Sequence, residues 1–365
     1  MSLSWHSGSV FPATTVGSRS TTRSDIFSGS KSLDLLSKED ILGTWRALSG
    51  VSNEDVWRTI LLVPEGVCTL RAGRCFPGNE EGLLVRFGNG DIGSLHGLPA
   101  ATGFKVKKIK LGNNNEEWLA LVRQPGGNLD LFATVVTDLV AVLLGSSILD
   151  GRQLLNIFMK RLRAWMSFMK KGATMLGPEA ELGLVGELQC MSTLLAAGCS
   201  AESVVEGWTG PMDGLQDFQL GHGAIEVKST LARDGFSASI LSLEQLDDSV
   251  RKPLFLCACR FSVDPSGVSL PVRIASLKEQ MDEATAVVFG FALLHAGYLD
   301  VHADLYTRQF VEVSTRYMLI DETFPRLTGG NVPVGVVRAK YEIELDAIDA
   351  KECLADAAIE MIGMN

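Results

Sequence analysis

Residues 217–228 read Asp217-Phe-Gln-Leu-Gly-His-Gly-Ala-Ile-Glu226-Val-Lys228, and no other stretch constrains the chain as much. Phe218 to Leu220 predicts a short strand, Gly221-His222-Gly223 is turn chemistry, and Ala224 to Lys228 predicts a second strand. Side chains alternate along a strand, so Glu226 and Lys228 share one face and Ile225 and Val227 take the other. Asp217, at the start of the first strand, can return beside them. Two hard carboxylates can hold Mg²⁺, which prefers oxygen ligands and keeps several of its waters. A lysine beside that ion can orient an attacking water and favour its deprotonated form. The arrangement suits metal-assisted cleavage of a phosphate ester, although Glu-Val-Lys also occurs in ordinary exposed strands.

Upstream, Pro178 to Ala197 predicts a helix, with Pro178 near its first position, Glu179 and Glu181 in the first turn and Gly198 past its end. Leu184, Leu188, Met191 and Leu195 form its apolar stripe, and Glu187 falls inside it. A carboxylate on a buried face needs a partner, either a lysine at the core edge or a cation. Val204 to Trp208 reads as a strand. Downstream, Ser242 with Gln245 three residues on has the pattern of a capping box and predicts another helix. Leu254 to Phe261 is the near-continuous apolar run of a strand covered on both faces. The expected order is helix, strand, hairpin, helix, strand.

With these motifs the chain resembles the PD-(D/E)XK nuclease superfamily, and more narrowly a bacterial family of PD-(D/E)XK motif proteins of unknown function. The matching stretches are Gly183-Leu-Val-Gly-Glu187-Leu, Trp208-Thr-Gly-Pro211, Asp217-Phe218, Ile225-Glu-Val-Lys-Ser229 and Ser242-Leu-Glu-Gln-Leu246. Weaker matches are Leu131-Phe132 with Asp138-Leu139, and Phe324-Pro-Arg326 followed by Pro333-Val-Gly-Val336. The resemblance implies an α/β (α+β overall) restriction-endonuclease-like core, with a mixed central sheet flanked by helices, over residues 176–290. It also implies that Asp217 and Glu226 ligate Mg²⁺ or Mn²⁺, that Lys228 is the catalytic lysine, that Glu187 assists the metal, and that Gln245 is the glutamine often found after the motif. The superfamily's proline-aspartate pair is absent, because Gln216 precedes Asp217; Asp213, near Pro211, stays a rival for the first carboxylate. The implied activity is a metal-dependent DNA endonuclease, one subunit of a restriction or anti-phage system served by a helicase, ATPase or methyltransferase. A catalytically silent nuclease-fold subunit that binds DNA or scaffolds an assembly is the alternative. The oligomeric state stays open, a homo-oligomer included.

The 365 residues suffice for a large core and for more than one folding unit. A formal charge of −10 argues against affinity for nucleic acid through bulk electrostatics, so DNA would need a local basic surface or a delivering partner. One such surface is the segment Arg152–Lys171, which has no acidic residue. Leu155, Phe158, Leu162, Trp165 and Met169 form its stripe, and Arg152, Lys160, Arg163, Lys170 and Lys171 cluster alongside. It reads either as a solvated helix face or as a rail for the phosphate backbone. Lys105, Lys107, Lys108 and Lys110 offer a weaker patch on a strand.

Seven cysteines without a Cys-x-x-Cys pair predict a reducing, cytoplasmic setting, with Cys257 and Cys259 as small core residues. The longest apolar stretch, Leu131 to Leu144, is interrupted by Asp138 and too short to span a bilayer, so no membrane association is expected. Residues 1–38 read as a mobile tail rich in Ser, Thr and Gly. Residues 39–175 read as an N-terminal α+β region: helix Lys38–Leu48, strands Thr59–Val63, Leu83–Phe87, Phe104–Lys110 and Trp118–Val122, helix Asp130–Leu144, then the basic helix. Beyond the core, a helix Leu277–Leu294 leads into a C-terminal α+β extension over 291–365, with strands near Arg316–Ile320 and Val334–Leu345.

Overall fold

The computed structural model describes residues 36–364 apart from 64–65, 89–91, 93–96, 102, 113–115, 147–148 and 171–174. The tail read over residues 1–38 lies almost wholly outside the described residues, as does Lys171 of the basic cluster.

The N-terminal half begins with α1 (Lys38–Leu48), whose first turn is closed by Ser37 and Asp40 exchanging side-chain and backbone hydrogen bonds. The strands β1 (Trp57–Leu61), β2 (Cys68–Cys75), β3 (Glu80–Phe87), β4 (Ala100–Ala101), β5 (Phe104–Leu111) and β6 (Glu116–Arg123) form an antiparallel sheet in the order β1-β2-β3-β6-β5-β4. Helices α2 (Leu129–Gly145) and α3 (Gly151–Lys170) bury Val136, Leu139, Phe158 and Leu162 against Leu83, Val85 and Leu121 of that sheet. The strand β2 escapes a sequence reading because Arg71, Gly73 and Arg74 break its apolar pattern. Arg74 is buried against Glu81, 2.8 Å away, and Gly73 leaves room for the Trp57 ring.

The second half carries α4 (Pro178–Ala196), α5 (Ala201–Gly207), β7 (Phe218–Leu220), β8 (Gly223–Thr230), β9 (Ser237–Ile240), β10 (Leu254–Ser269), α6 (Leu270–Lys278), α7 (Glu283–Ala296), β11 (Gln309–Ile320), β12 (Tyr341–Glu344), β13 (Glu352–Cys353) and α8 (Ala355–Ile362). Its central sheet has the order β13-β11-β10-β8-β7 and is mixed: β8 and β10 are parallel, and the other pairs antiparallel. On one face, Ile225, Val227, Phe255, Cys257 and Cys259 pack with residues of α4, α6, α7 and α8. On the other, Ala224, Leu254, Leu256 and Ala258 lie under a two-stranded sheet of β9 and β12. This is the mixed α/β, restriction-endonuclease-like architecture expected of the motifs.

Four local readings are corrected. The strand expected near Val334–Leu345 is extended only over Tyr341–Glu344, and residues 334–340 are loop. Val204–Trp208 is not a strand but mostly α5, because the Ser200 hydroxyl accepts from Ser203 N and starts a helix; a short apolar run alone cannot separate the two. No helix follows Ser242, because the Gln245 side chain accepts from Leu241 N and donates to Glu226 rather than closing a capping box. The single helix expected over Leu277–Leu294 is two, since Asp282 accepts from Thr285 N and caps α7 separately.

Helix α7 is apolar around its circumference because both halves use it. Phe289, Ala292 and Leu293 belong to the core of the second half, and Leu294 to that of the first. The Arg161 guanidinium on α3 donates to both Asp138 oxygens on α2, at 2.5 and 2.7 Å, and to the Gly290 carbonyl on α7 at 2.5 Å. The Trp165 indole also donates to Asp138, at 2.6 Å. Arg161→Met strands the Asp138 charge and unties α7, and a loss of about 2–4 kcal/mol in urea unfolding is expected. Arg163→Met, at an exposed position one turn-fraction away, should leave the midpoint unchanged. Equal midpoints for the two variants would refute the role given to Arg161.

Candidate active site

The expected hairpin forms, with Leu220 opposite Gly223 and Phe218 opposite Ile225, so that the second strand starts at Gly223 and the turn is Gly221-His222. Gly221 has φ +51° and lies so close to the Ile362 carbonyl that a side chain would collide with it, so glycine is required at the tip. Parallel pairing of β8 with β10 sets Glu226 beside Leu256 and Lys228 beside Ala258, with the acidic and basic side chains on one face.

Helix α4 reaches β8 at Gly186, where a Cβ would collide with the Ser229 hydroxyl. That close approach delivers Glu187, the next residue, to the hairpin. The Trp208 indole donates to Glu187 Oε2 at 2.6 Å. Thr209 and Gly210 donate their backbone N–H groups to the Asp217 carbonyl, at 2.8 and 3.0 Å, and so turn Asp217 inward. Asp217 Oδ2 accepts from Val227 N at 2.7 Å. A Cβ on Gly210 would stand 2.7 Å from Asp217 Oδ1 and 3.2 Å from Glu187 Oε2, so two carboxylates converge on the space this glycine leaves open.

Glu226 is 2% exposed. Lys228 Nζ lies 2.8 Å from Glu226 Oε1, and Gln245 Nε2 donates to the same oxygen at 3.0 Å. Burial first, and the Asp217 charge second, push Glu226 up to about 8. Burial and the neighbouring Asp217 push Glu187 well above the usual carboxylate range, against the hydrogen bond from Trp208. Burial raises Asp217 as well, opposed by Val227 N–H and Lys228. Without a cation the site therefore favours protons, and a cation would displace them.

The donors are all hard oxygens, which fits Mg²⁺ or Mn²⁺. Among the described residues no group of three or more His, Cys, Asp or Glu is pre-arranged as a metal cage. Mg²⁺ needs none, since one or two carboxylates and retained waters satisfy it. Asp217 and Glu226 are the pair that could hold it, with Glu187 alongside. Asp213 is exposed, at the left-handed end of a 3₁₀ turn, and the charge raising Glu226 comes from Asp217.

Trp208 and Gly210 are the site residues that reasoning from residue chemistry passes over. Their signal was the Trp208-Thr-Gly-Pro211 stretch, whose glycine makes room for carboxylates and whose indole fixes one of them. The basic residues stand elsewhere. Arg152, Lys160, Arg163 and Lys170 are exposed on α3, and none pairs with an acid among the described residues. At 100° per residue Arg152, Arg163 and Lys170 lie opposite Arg161, which points to α7, so they face away from the core that holds the carboxylates.

Among the described residues no helix is long and apolar enough to cross a membrane, and all seven cysteines are unpaired. No curated protein and no solved structure matches the chain. A family model does, over residues 41–346, which takes in both halves and every carboxylate of the site. The chain belongs to the family described as "Putative PD-(D/E)XK family member" (DUF4420).

Proposed function

We propose that this protein is a metal-dependent nuclease that hydrolyses DNA phosphodiester bonds, with Asp217 and Glu226 as metal ligands and Glu187 in support. The observation that carries this reading is the crowding of Glu187, Asp217 and Glu226 around one ammonium, with all three carboxyls pushed towards protonation. A purely structural ion pair gains nothing from two extra acids. When bound, Mg²⁺ or Mn²⁺ supplies Lewis-acid charge at the scissile phosphate. Lys228, held by Glu226 and 16% exposed, presents its ammonium at the rim, where it orients a water for in-line attack. Gln245 fixes the Glu226 carboxylate, and the Trp208 indole fixes Glu187. With a net charge of −10 the protein suits a restriction or anti-phage assembly in which a helicase, ATPase or methyltransferase delivers the DNA.

Cutting of plasmid DNA in Mg²⁺ or Mn²⁺ tests this. Lys228→Ala should lose at least about a hundredfold in rate, on the scale of a removed acid–base group. Equal cutting by both proteins would exclude this site. No cutting by either, with DNA still bound, would favour the silent nuclease-fold subunit.

Thermal melting offers a second test without DNA. A carboxyl whose folded pKa lies near 8 instead of 4.5 favours the fold while protonated, so its contribution fades as pH rises from about 4.5 to about 8. The metal-free protein should thus lose melting temperature over that window, and Glu226→Gln should lose less. Mg²⁺ should restore more stability at pH 8 than at pH 6, because fewer protons need displacing. A Mg²⁺ effect that is the same at both pH values, or unchanged in Glu226→Gln, would argue against metal at these carboxylates.

The exposed cations of α3 are proposed as a secondary backbone contact. Reversing Lys160 and Arg163 together should lower the salt slope of DNA affinity by about two units and leave sequence preference unchanged. An unchanged slope returns this face to plain solvation.

A further inference from the structure

The loop between Leu327 and Tyr341 leaves the strand pair that leads to the carboxylates, and most of its residues are exposed. Its position follows from the backbone. Tyr341, the first residue of β12, pairs with Ile240 at the end of β9. The next residue, Leu241, donates its N–H to Gln245, whose amide donates to Glu226. The base of the loop is closed: the Tyr341 hydroxyl accepts from Leu327 N at 3.0 Å, and Asn331 bridges Thr328 N and the Arg326 carbonyl. Arg326 anchors it to Asp248 at 2.9 Å and to the Leu246 carbonyl at 2.8 Å.

The rest of the loop projects. Val334 and Val337 are 108% and 81% exposed, and Val336 is also exposed. Arg338 and Lys340 follow, both exposed and neither paired with an acid among the described residues. An apolar tip held on a closed base and flanked by cations combines the two kinds of group that a binding surface uses.

We propose that residues 327–340 form the DNA-engaging loop of this nuclease, with Arg338 and Lys340 on backbone phosphates and the valine tip seated in a groove of the duplex. The inference rests on the nuclease reading for the meaning of the neighbouring carboxylates. Its own support is the pairing of apolar tip with unpartnered cations, in a chain whose overall charge repels DNA. Duplex DNA fits both features: phosphates take the cations, while groove walls offer sugar and base edges to short apolar side chains.

The test is binding of a fluorescent duplex oligonucleotide to the full chain in Ca²⁺ at several salt concentrations, with cutting in Mg²⁺ followed separately. Arg338→Ala with Lys340→Ala should reduce the salt slope by about two units. Val334→Ser with Val337→Ser should weaken binding about tenfold at every salt concentration and leave the slope unchanged, because it removes buried apolar surface and no charge. Both variants should keep the wild-type melting temperature, since the substituted side chains touch no core. Wild-type affinity and slope in both variants would overturn the loop proposal even if the protein cuts DNA. Loss of binding in the loop variants of a protein that never cuts would keep the loop and discard the nuclease. Loss of self-association in the valine variant, with DNA affinity intact, would make the tip a contact between copies and overturn the proposal.

Discussion

Like charges held out of water repel, and the placement of Glu187, Asp217 and Glu226 is the constraint around which the second half is built. Each acid is brought in by a different device. Parallel pairing with β10 turns Glu226 to the buried face, backbone N–H groups of Thr209 and Gly210 pull Asp217 inward, and the close approach at Gly186 lowers Glu187 onto the strand. Lys228 offsets this charge from within, and it stands 2.8 Å from one of the three. A fold selected for stability alone would replace such a group with packed apolar side chains, which are usually as stable or more so. Its retention is intelligible if the missing positive charge arrives with a ligand.

The first half contributes stiffness to that site without entering it. Arg161 ties α2 and α3 to the Gly290 carbonyl on α7, and Phe289, the preceding residue, packs against Trp208 with ring centroids 5.7 Å apart. Trp208 in turn holds Glu187. A continuous run of contacts therefore leads from the N-terminal sheet to one carboxylate. The position read as the end of the core, residue 290, falls inside α7, so the helix belongs to both halves.

Much of this was legible from pattern alone. The bounds of α1 and nearly those of α2, α3 and α4 followed from caps and periodicity, because long amphipathic segments carry their signal many times over. The hairpin was legible because Gly221-His222-Gly223 leaves few turn geometries. What failed was short or used its side chains at a distance. Val204-Val205 suits two turns of helix as well as a strand. Gln245 looked like a helix cap because nothing local announces that its amide will reach Glu226, 19 residues earlier in the chain. The roles of Trp208 and Gly210 depend on Glu187 arriving from another helix, and spacing in sequence cannot express that. Nor could it reveal that Arg152, Arg163 and Lys170 lie opposite Arg161, the residue that α3 turns towards α7.

That last point bears on how an acidic protein could handle a polyanion. With ten more acids than bases, long-range attraction is unavailable, and affinity must come from short-range contacts whose cations are free of internal partners. Many of the arginines are already spent inside the fold: Arg74 and Arg123 on Glu81, Arg161 on Asp138, Arg308 on Glu181, Arg326 on Asp248. Those bases neutralise buried acids and project little field outward. The bases on α3 and at Arg338 and Lys340, unpaired with acids among the described residues, are thus positive charge left for a partner, and the second group lies on the segment that runs into β12. An enzyme arranged in this way would hold DNA weakly on its own and depend on alignment at the moment of cutting, because binding spent on positioning the phosphate at the carboxylates serves the reaction better than binding spread over the surface.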